Sequence, residues 1–223
     1  MKILSIDTST GFLCLGIYAD GREYTLRLET GRKLSGLIAV YIKKALESAG
    51  LDIREIGYFA CGLGPGSFTG LRIGVATVKG LCYALKKPLI AIPSLDLLAY
   101  NAVSLKGAVI PVVDARRALV YSCIYRAKDN KVKRASDYLL LTPDKLFKKI
   151  RPGSIILGDA LGIYQDKFIK GAGCARFLDK DHWYPEPHNL IRLSLEKARL
   201  RQFSDPAGVK PIYLYAKECQ VKK

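Results

Sequence analysis

Hydrophobic and polar positions divide the first hundred residues into a strand-rich segment and two helices. Short apolar or alternating runs predict strands at residues 2–7, 12–18, 23–28, 56–60 and 89–92. Asp20-Gly21 is a typical hairpin turn between the second and third of these strands. Apolar side chains at three- and four-residue steps predict a helix over residues 31–50, with Gly50 as its C-cap.

The run from Cys61 to Leu85 joins a glycine-rich turn to a second helix. Gly and Pro residues at 62–66 exclude regular structure, and Ser67 and Thr69 are good N-cap residues. The apolar face of the helix contains Leu71, Val75, Val78, Cys82 and Leu85. The opposite side is small and weakly polar, with Ile73, Ala76, Thr77, Gly80 and Ala84.

A helix that is apolar nearly all round is usually buried on both sides. Gly74 and Gly80 each cost roughly 1 kcal/mol of helix stability relative to Ala, which indicates close approach by another backbone. Two interpretations stay open. Either a neighbouring helix of the same chain covers the second side, or a second protein does.

The second half repeats the order of the first. An apolar strand at 108–114 ends in Asp114, as the first strand ends in Asp7, and an alternating strand follows at 118–125. We therefore predict two lobes, an N-terminal one at 1–102 and a basic C-terminal one at 103–223 that includes an amphipathic helix at 190–201. The predicted fold class is α/β.

The 223 residues carry a net charge of +16, of which residues 103–223 contribute +12 and residues 1–102 contribute +4. A basic half indicates proximity to a polyanion such as RNA, although Lys and Arg can equally keep a surface soluble. No uniformly apolar window could cross a membrane, and the N-terminus is a strand instead of a signal peptide. Four of the six Cys lie in apolar patterns and no Cys-x-x-Cys occurs, which favours the cytoplasm.

Candidate chemistry is sparse. Asp7 and Thr8, with Asp114 at the matching place, would suit a nucleotide with its metal, but an Asx-type turn explains Asp7 equally well. The loop at 64–67 lacks the Gly-Lys-Ser/Thr ending of a Walker loop. His182 and His188 do not share a helix face, and no nucleophile has a local base. We therefore expect neither a catalytic constellation nor a metal site.

Several motifs resemble the TsaB family. They are Ile3-Leu4-Ser5-Ile6-Asp7-Thr8-Ser9-Thr10, Gly64-Pro65-Gly66-Ser67-Phe68-Thr69-Gly70-Leu71-Arg72-Ile73-Gly74, Lys79-Gly80-Leu81, Val113-Asp114-Ala115-Arg116-Arg117 and Lys210-Pro211-Ile212-Tyr213-Leu214. The resemblance is close over the first hundred residues and looser in the second lobe. It implies a duplicated actin-like (ASKHA, ribonuclease H-like) fold of two lobes.

The resemblance also implies a function. Members of this family are non-catalytic subunits in making threonylcarbamoyladenosine beside the anticodon of tRNA. They are inactive, glycoprotease-like paralogues of the catalytic subunit TsaD, which they scaffold and activate, and they recruit the ATPase TsaE. The family pairs through its first two helices, which match residues 33–49 and 70–85 here. A homodimer is expected when the chain is alone, and tRNA is reached through the complex.

On this basis we expect a set of partner contacts on the two helices: Ile38, Tyr41, Ile42, Ala45, Arg72, Ile73, Ala76, Lys79, Gly80 and Tyr83. No cofactor is expected to bind tightly, and ATP or ADP at the interface of the complex is the one candidate. Two alternatives remain: a free-standing nucleotide-binding enzyme of the actin-like kinase or glycoprotease type, and a module that binds RNA directly.

Overall fold

The computed structural model describes residues 1–215, which form two compact units. Unit 1 contains Met1–Leu97 and Pro185–Ile212, and unit 2 contains Leu98–Tyr184 with residues 213–215. Each unit has its own sheet and its own hydrophobic core. Within the described residues, no helix combines the length and the apolar character that a membrane span requires.

Unit 1 is built on a five-stranded sheet. Its strands are β1 (Lys2–Asp7), β2 (Phe12–Ala19), β3 (Arg22–Glu29), β4 (Tyr58–Gly62) and β5 (Leu89–Ile92). The order is β3-β2-β1-β4-β5, with β1, β2 and β3 antiparallel to one another in turn and β4 and β5 parallel to β1. Asp20 and Gly21 have φ of 48° and 91°, which confirms the predicted hairpin turn.

The first helices of unit 1 are α1 (Leu34–Ala49) and α2 (Phe68–Leu85), and the short helix α3 (Ser94–Ala99) contains the boundary between the two units. α1 ends at Gly50 in the left-handed conformation, and the Oγ of Ser67 accepts a hydrogen bond from the Gly70 N–H at 3.2 Å. Both predicted caps are therefore confirmed. α1 and α2 bury their apolar sides in one core with alternate residues of β1, such as Leu4 and Ile6.

Unit 2 repeats this sheet. Its elements are β6 (Gly107–Arg116), β7 (Leu119–Ser122), β8 (Tyr125–Lys128), β9 (Lys131–Arg134), β10 (Leu139–Leu141), α4 (Pro143–Phe147), β11 (Ile155–Leu157), α5 (Ala160–Ala172) and β12 (Arg176–Phe177). The order β10-β7-β6-β11-β12 has the same strand directions as unit 1, which confirms the duplication. β8 pairs with β6 and β9 pairs with β8.

Two features of unit 2 differ from the prediction. The strand expected at 118–125 is divided into β7 and β8, because residues 123–124 leave the ladder. α5 was not predicted, since Gly162 and a non-helical Tyr164 interrupt its pattern. Its buried side chains, including Phe168, nevertheless complete the core of unit 2 with α4 and the sheet.

The last helix of the described chain, α6 (Pro187–Arg199), lies in unit 1. It packs against β1, β2, β3 and β5, and Ile191 occupies the space above Gly16 that a side chain would otherwise fill. Residues 185–212 therefore belong with the first lobe, and the predicted assignment of everything from 103 onward to the second lobe is wrong for this segment. On the face of the unit 1 sheet opposite α1 and α2, Ile3 and Ser5 are fully buried, and α6 provides cover for this face.

Candidate partner-binding surface and the turn at Asp7

The glycine-rich loop and the start of α2 close tightly on the turn that follows β1. A Cβ atom on any of four glycines would overlap an atom of this turn: Gly62 with Asp7, Gly66 with Ser9, and Gly70 and Gly74 with Thr8. The four glycines follow one another at intervals of four residues. Their spacing is the sequence signal for this contact, which sequence reasoning missed.

Asp7 is the centre of the closed turn. Its Oδ1 accepts hydrogen bonds from the Ser9 N–H at 2.9 Å and the Ser9 hydroxyl at 2.7 Å, and its Oδ2 accepts one from the Ser94 hydroxyl. The Thr8 hydroxyl donates to the Gly70 carbonyl at 2.8 Å. Burial raises the pKa of Asp7 above its ordinary value, although the three hydrogen bonds oppose the shift.

This geometry is that of a structural Asx turn. Asp7 and Thr8 are each only 1% exposed, and their polar atoms are used by partners within the chain. The side chains of Asp7 and Thr8 thus have a structural role in closing the turn against the glycine loop. That they bind a nucleotide stays a prediction.

The two flanks of α2 have opposite environments. Leu71, Val75 and Val78 are buried in the core of unit 1. On the other flank Arg72, Ala76, Gly80 and Tyr83 are exposed, and Tyr83 is 56% exposed. Nothing lies within 4 Å of the position that a Cβ on Gly80 would take. Of the two open interpretations, cover by a neighbouring helix of the same chain is therefore wrong for this flank.

The predicted contacts on α1 require correction. Ile38 and Ile42 are 4% and 7% exposed and lie in the core of unit 1, because an amphipathic helix turns its most apolar side to its own sheet. Tyr41 and Ala45 are half-buried beside that core. The outward side of α1 is formed instead by other residues: Gly36, Ala39, Val40, Lys43, Lys44 and Glu47.

Lys79 and Ile73 on α2 also have roles within the chain. The Nζ of Lys79 donates hydrogen bonds to the carbonyls of Ala207 and Val209, each at 3.2 Å, and so attaches the segment after α6 to α2. Ile73 is half-buried against the core. Lys79 is therefore not a free partner contact as predicted. Arg72, Ala76, Gly80 and Tyr83 remain on the outward side.

The matching place in unit 2 is more open but holds no metal-binding cluster. The Asp159 Oδ1 accepts the backbone N–H of Asp114 at 2.9 Å, and the Asp114 Oδ2 lies 3.2 Å from a guanidinium nitrogen of Arg116. Burial raises the pKa of Asp159 to about 6. In residues 1–215, no three His, Cys, Asp or Glu side chains converge in a way that could hold a metal ion.

The five cysteines of the described chain are free thiols, and four of them are buried: Cys14, Cys61, Cys82 and Cys123. The expectation that the cysteines inside apolar patterns serve as small core residues is confirmed for these four. Cys174 is exposed, and Cys219 lies outside the described residues.

Two units with the same five-strand order and the same strand directions define the class of protein: the chain has the duplicated actin-like α/β fold. A solved structure from Pseudomonas aeruginosa, described as an uncharacterized protein with similarity to peptidase YEAZ, has the same fold. Its TM-score is 0.84, the sequence identity is 24%, and the match covers 96% of this chain and 99% of that one.

Sequence comparisons identify the family. Residues 28–166 match the family model described as "TsaD: tRNA N6-adenosine threonylcarbamoyltransferase". The tRNA threonylcarbamoyladenosine biosynthesis protein TsaB of Bacillus subtilis is 29% identical, over 100% of this chain and 97% of that protein. TsaB of Escherichia coli is 33% identical over 58% of this chain and 57% of its own length. The chain therefore belongs to the family that this model describes, and its curated relatives place it in the TsaB branch.

Proposed function

We propose that this chain is a non-catalytic subunit in the formation of threonylcarbamoyladenosine on tRNA. Its curated relatives carry names of tRNA threonylcarbamoyladenosine biosynthesis proteins, and one of them matches it over nearly its full length. In this proposal the chain docks on a TsaD subunit, favours its active arrangement and helps recruit TsaE. Alone, it pairs with a second copy through the same surface.

The observation that carries the proposal is the outward flank of α2. It presents Ala76, Gly80 and the large ring of Tyr83 to solvent, with Arg72 as the one charged residue of the set. The apolar atoms of this flank gain little from exposure to water. Gly80 has no contact within the chain that requires a glycine, yet it costs helix stability. Close approach of another helix would explain the glycine at position 80. Val40 on α1 is a second exposed apolar side chain, 46% exposed.

The chemistry of the chain supports a scaffolding role over a free-standing enzyme. Asp7 is enclosed in a structural turn. Asp114 is paired with Arg116, and Asp159 accepts a hydrogen bond from the Asp114 backbone N–H. We therefore place metal binding and group transfer on the partner, with any ATP or ADP at the interface of the complex. In this proposal the chain acts in the cytoplasm and reaches tRNA through the complex.

The variant Gly80→Arg tests the proposal. The space beside Gly80 is open and Arg favours the helix more than Gly does, so the monomer should fold with a melting temperature no lower than that of the natural chain. A large charge at this position should prevent close helix packing. We expect co-purification with the TsaD of the same organism to fall at least tenfold. His188→Arg is the control, since His188 is exposed on α6, which packs on the face of the unit 1 sheet opposite α1 and α2.

Two results would contradict the proposal. Undiminished pairing of Gly80→Arg would mean that α2 is not the docking surface. Micromolar binding of ATP with magnesium to the lone chain by calorimetry, accompanied by turnover, would favour the free-standing enzyme. The threonylcarbamoyladenosine content of tRNA, measured by mass spectrometry in cells that depend on each variant, connects pairing to function.

A further inference from the structure

The β8–β9 hairpin of unit 2 has an unusual charge. Five of the nine residues from 126 to 134 are cationic, and Asp129 in the turn is the only acidic residue among them. β9 pairs only with β8 among the described strands, so the hairpin lies at the margin of the sheet. The net charge of the protein is thus partly concentrated on one small element.

The strand register places four of these cations on one face. Arg126 is directly opposite Lys133, and Lys128 is directly opposite Lys131. Directly opposed residues share a face, and so do residues two apart along a strand. All four side chains are exposed, whereas Ala127 on the other face is buried. A single face therefore presents two stacked pairs of like charges.

This arrangement is unfavourable for the isolated chain. The Cβ atoms of directly opposed residues are about 5 Å apart, and the two pairs are separated by about 7 Å along the strands. Of the four cations on this face, Lys128 alone has an acidic group of the described residues within 4.0 Å. That group is the carboxylate of the exposed Asp129, at 3.9 Å. Sheets normally place opposite charges across from one another, so a face of four cations is suited to an external polyanion.

We propose that this face of the β8–β9 hairpin binds the phosphate backbone of RNA. The inference rests on the proposed function, which brings tRNA to the complex, and it adds a direct contact from this chain. Lys and Arg on phosphates supply affinity without base specificity, which fits a subunit that must accept several tRNAs. A membrane surface is less suitable, because the large exposed hydrophobic side chains of the described residues lie elsewhere.

A second use of such lysines must be separated from RNA binding. Cationic side chains on an edge strand prevent the strand from pairing with another molecule and aggregating. That role predicts loss of solubility when the charges are removed, without any change in RNA affinity. The two roles therefore differ in what a charge-neutralising variant does.

The test compares two variants of the full chain with equal charge. The hairpin variant is R126Q/K128Q/K131Q/K133Q, and the control variant neutralises four exposed cations elsewhere: Arg22, Lys86, Lys167 and Lys170. Fluorescence anisotropy with a labelled tRNA transcript gives Kd as a function of KCl. Four lost phosphate contacts should weaken binding about 100-fold at 0.1 M KCl and reduce the log–log salt slope by about three.

The RNA affinity of the control variant should fall less than about threefold, because its substitutions change only the long-range electrostatic attraction between protein and RNA. The proposal would be overturned if both variants lost RNA affinity equally, or if the hairpin variant lost none. It would also be overturned if the natural chain did not bind RNA at low salt. Aggregation of the hairpin variant at unchanged affinity, or a loss of binding confined to vesicles of acidic phospholipid, would overturn it as well. Co-purification with TsaD, measured in parallel, shows whether the proposed function fails independently.

Discussion

Gly74 and Gly80 lie on the same helix, and their surroundings are opposite. A Cβ atom on Gly74 would overlap the Thr8 hydroxyl, whereas a Cβ on Gly80 would meet no heavy atom within 4 Å. From the sequence alone, both glycines indicated close approach by another backbone, of the same chain or of a second protein. The structure shows that the approach at Gly74 is made by the turn after β1 of the same chain.

Alanine at these two positions should therefore have opposite effects on stability. Gly74→Ala should lower the free energy of unfolding by about 2 kcal/mol or more, because the methyl group displaces Thr8 from its hydrogen bond to Gly70. Gly80→Ala should raise it by about 0.5–1 kcal/mol through helix propensity. Urea unfolding of both variants measures the difference. Equal effects would mean that the tight contact at Thr8 does not exist.

Asp159 provides a residue-scale prediction for pH. Its pKa is raised from 3.8 to about 6 by burial, so its ionisation destabilises unit 2. The stability that this carboxyl contributes is complete below pH 3.8 and is lost as the pH rises through 6. Over this pH range the free energy of unfolding falls by about 3 kcal/mol because of Asp159.

Asp159→Asn should accordingly stabilise unit 2 by up to about 3 kcal/mol at pH 8, with the gain vanishing towards pH 4. The Asn side chain can still accept the Asp114 N–H, which keeps the local geometry. Thermal unfolding of both proteins across this pH range measures the difference. A gain that does not depend on pH would place its origin outside the ionisation of Asp159.

At the scale of the element, the predicted partner contacts on α1 were placed on the wrong side of the helix. The pattern of α1 gives Leu34, Ile38, Ile42 and Leu46 to the core, and each of them is buried. Its outward side contains Val40, which is 46% exposed. Val40 is two residues from both Ile38 and Ile42, so its side chain points to a different side of the helix.

Ile38 and Val40 form a matched pair for separating core from surface. Ile38→Ala should cost about 2–4 kcal/mol of stability, because it leaves a cavity beneath α1. Val40→Asp should change stability by less than about 0.5 kcal/mol but weaken pairing, because it places a charge on the apolar outward surface. Chemical unfolding measures the first effect and co-purification with TsaD the second. Pairing that survives Val40→Asp would restrict the docking surface to α2.

At the scale of the whole molecule, the two units repeat one sheet, but only unit 1 takes its last helix from a distant part of the chain. α6 covers the second face of that sheet, and Ile191 is fully buried against Gly16. The buried Leu190 and Leu193 lie on the same helix. Unit 1 is thus completed only after residues 185–212 have been synthesised.

A fragment of residues 1–184 should therefore fail to fold unit 1, although it contains the entire five-stranded sheet. The uncovered sheet face would expose apolar residues that α6 buries in the full chain. Hydrogen exchange should show weak protection of β1 and β2, and Ile191→Ala in the full chain should cost about 2–5 kcal/mol. Ile163→Ala on α5 is the control, since Ile163 is 55% exposed. Full protection of β1 in the fragment would contradict this account.

The sequence by itself determined the local elements of this protein. Strands, the hairpin at Asp20-Gly21, the caps at Ser67 and Gly50, and the repeated sheet follow from residue types a few positions apart. The family motifs are equally local, since they are continuous runs of residues. Turn chemistry and hydrophobic periodicity depend on neighbours along the chain, so they can be recognised without the fold.

Only the tertiary structure decided which groups remained available for binding. It enclosed Asp7 and Thr8 beneath the glycine loop, used Lys79 to hold residues 207–209, and brought four cations to one face of the β8–β9 hairpin. It also assigned α6 to unit 1. Each outcome depends on contacts between residues far apart in sequence or on strand register, and neither is contained in the periodicity of a single segment.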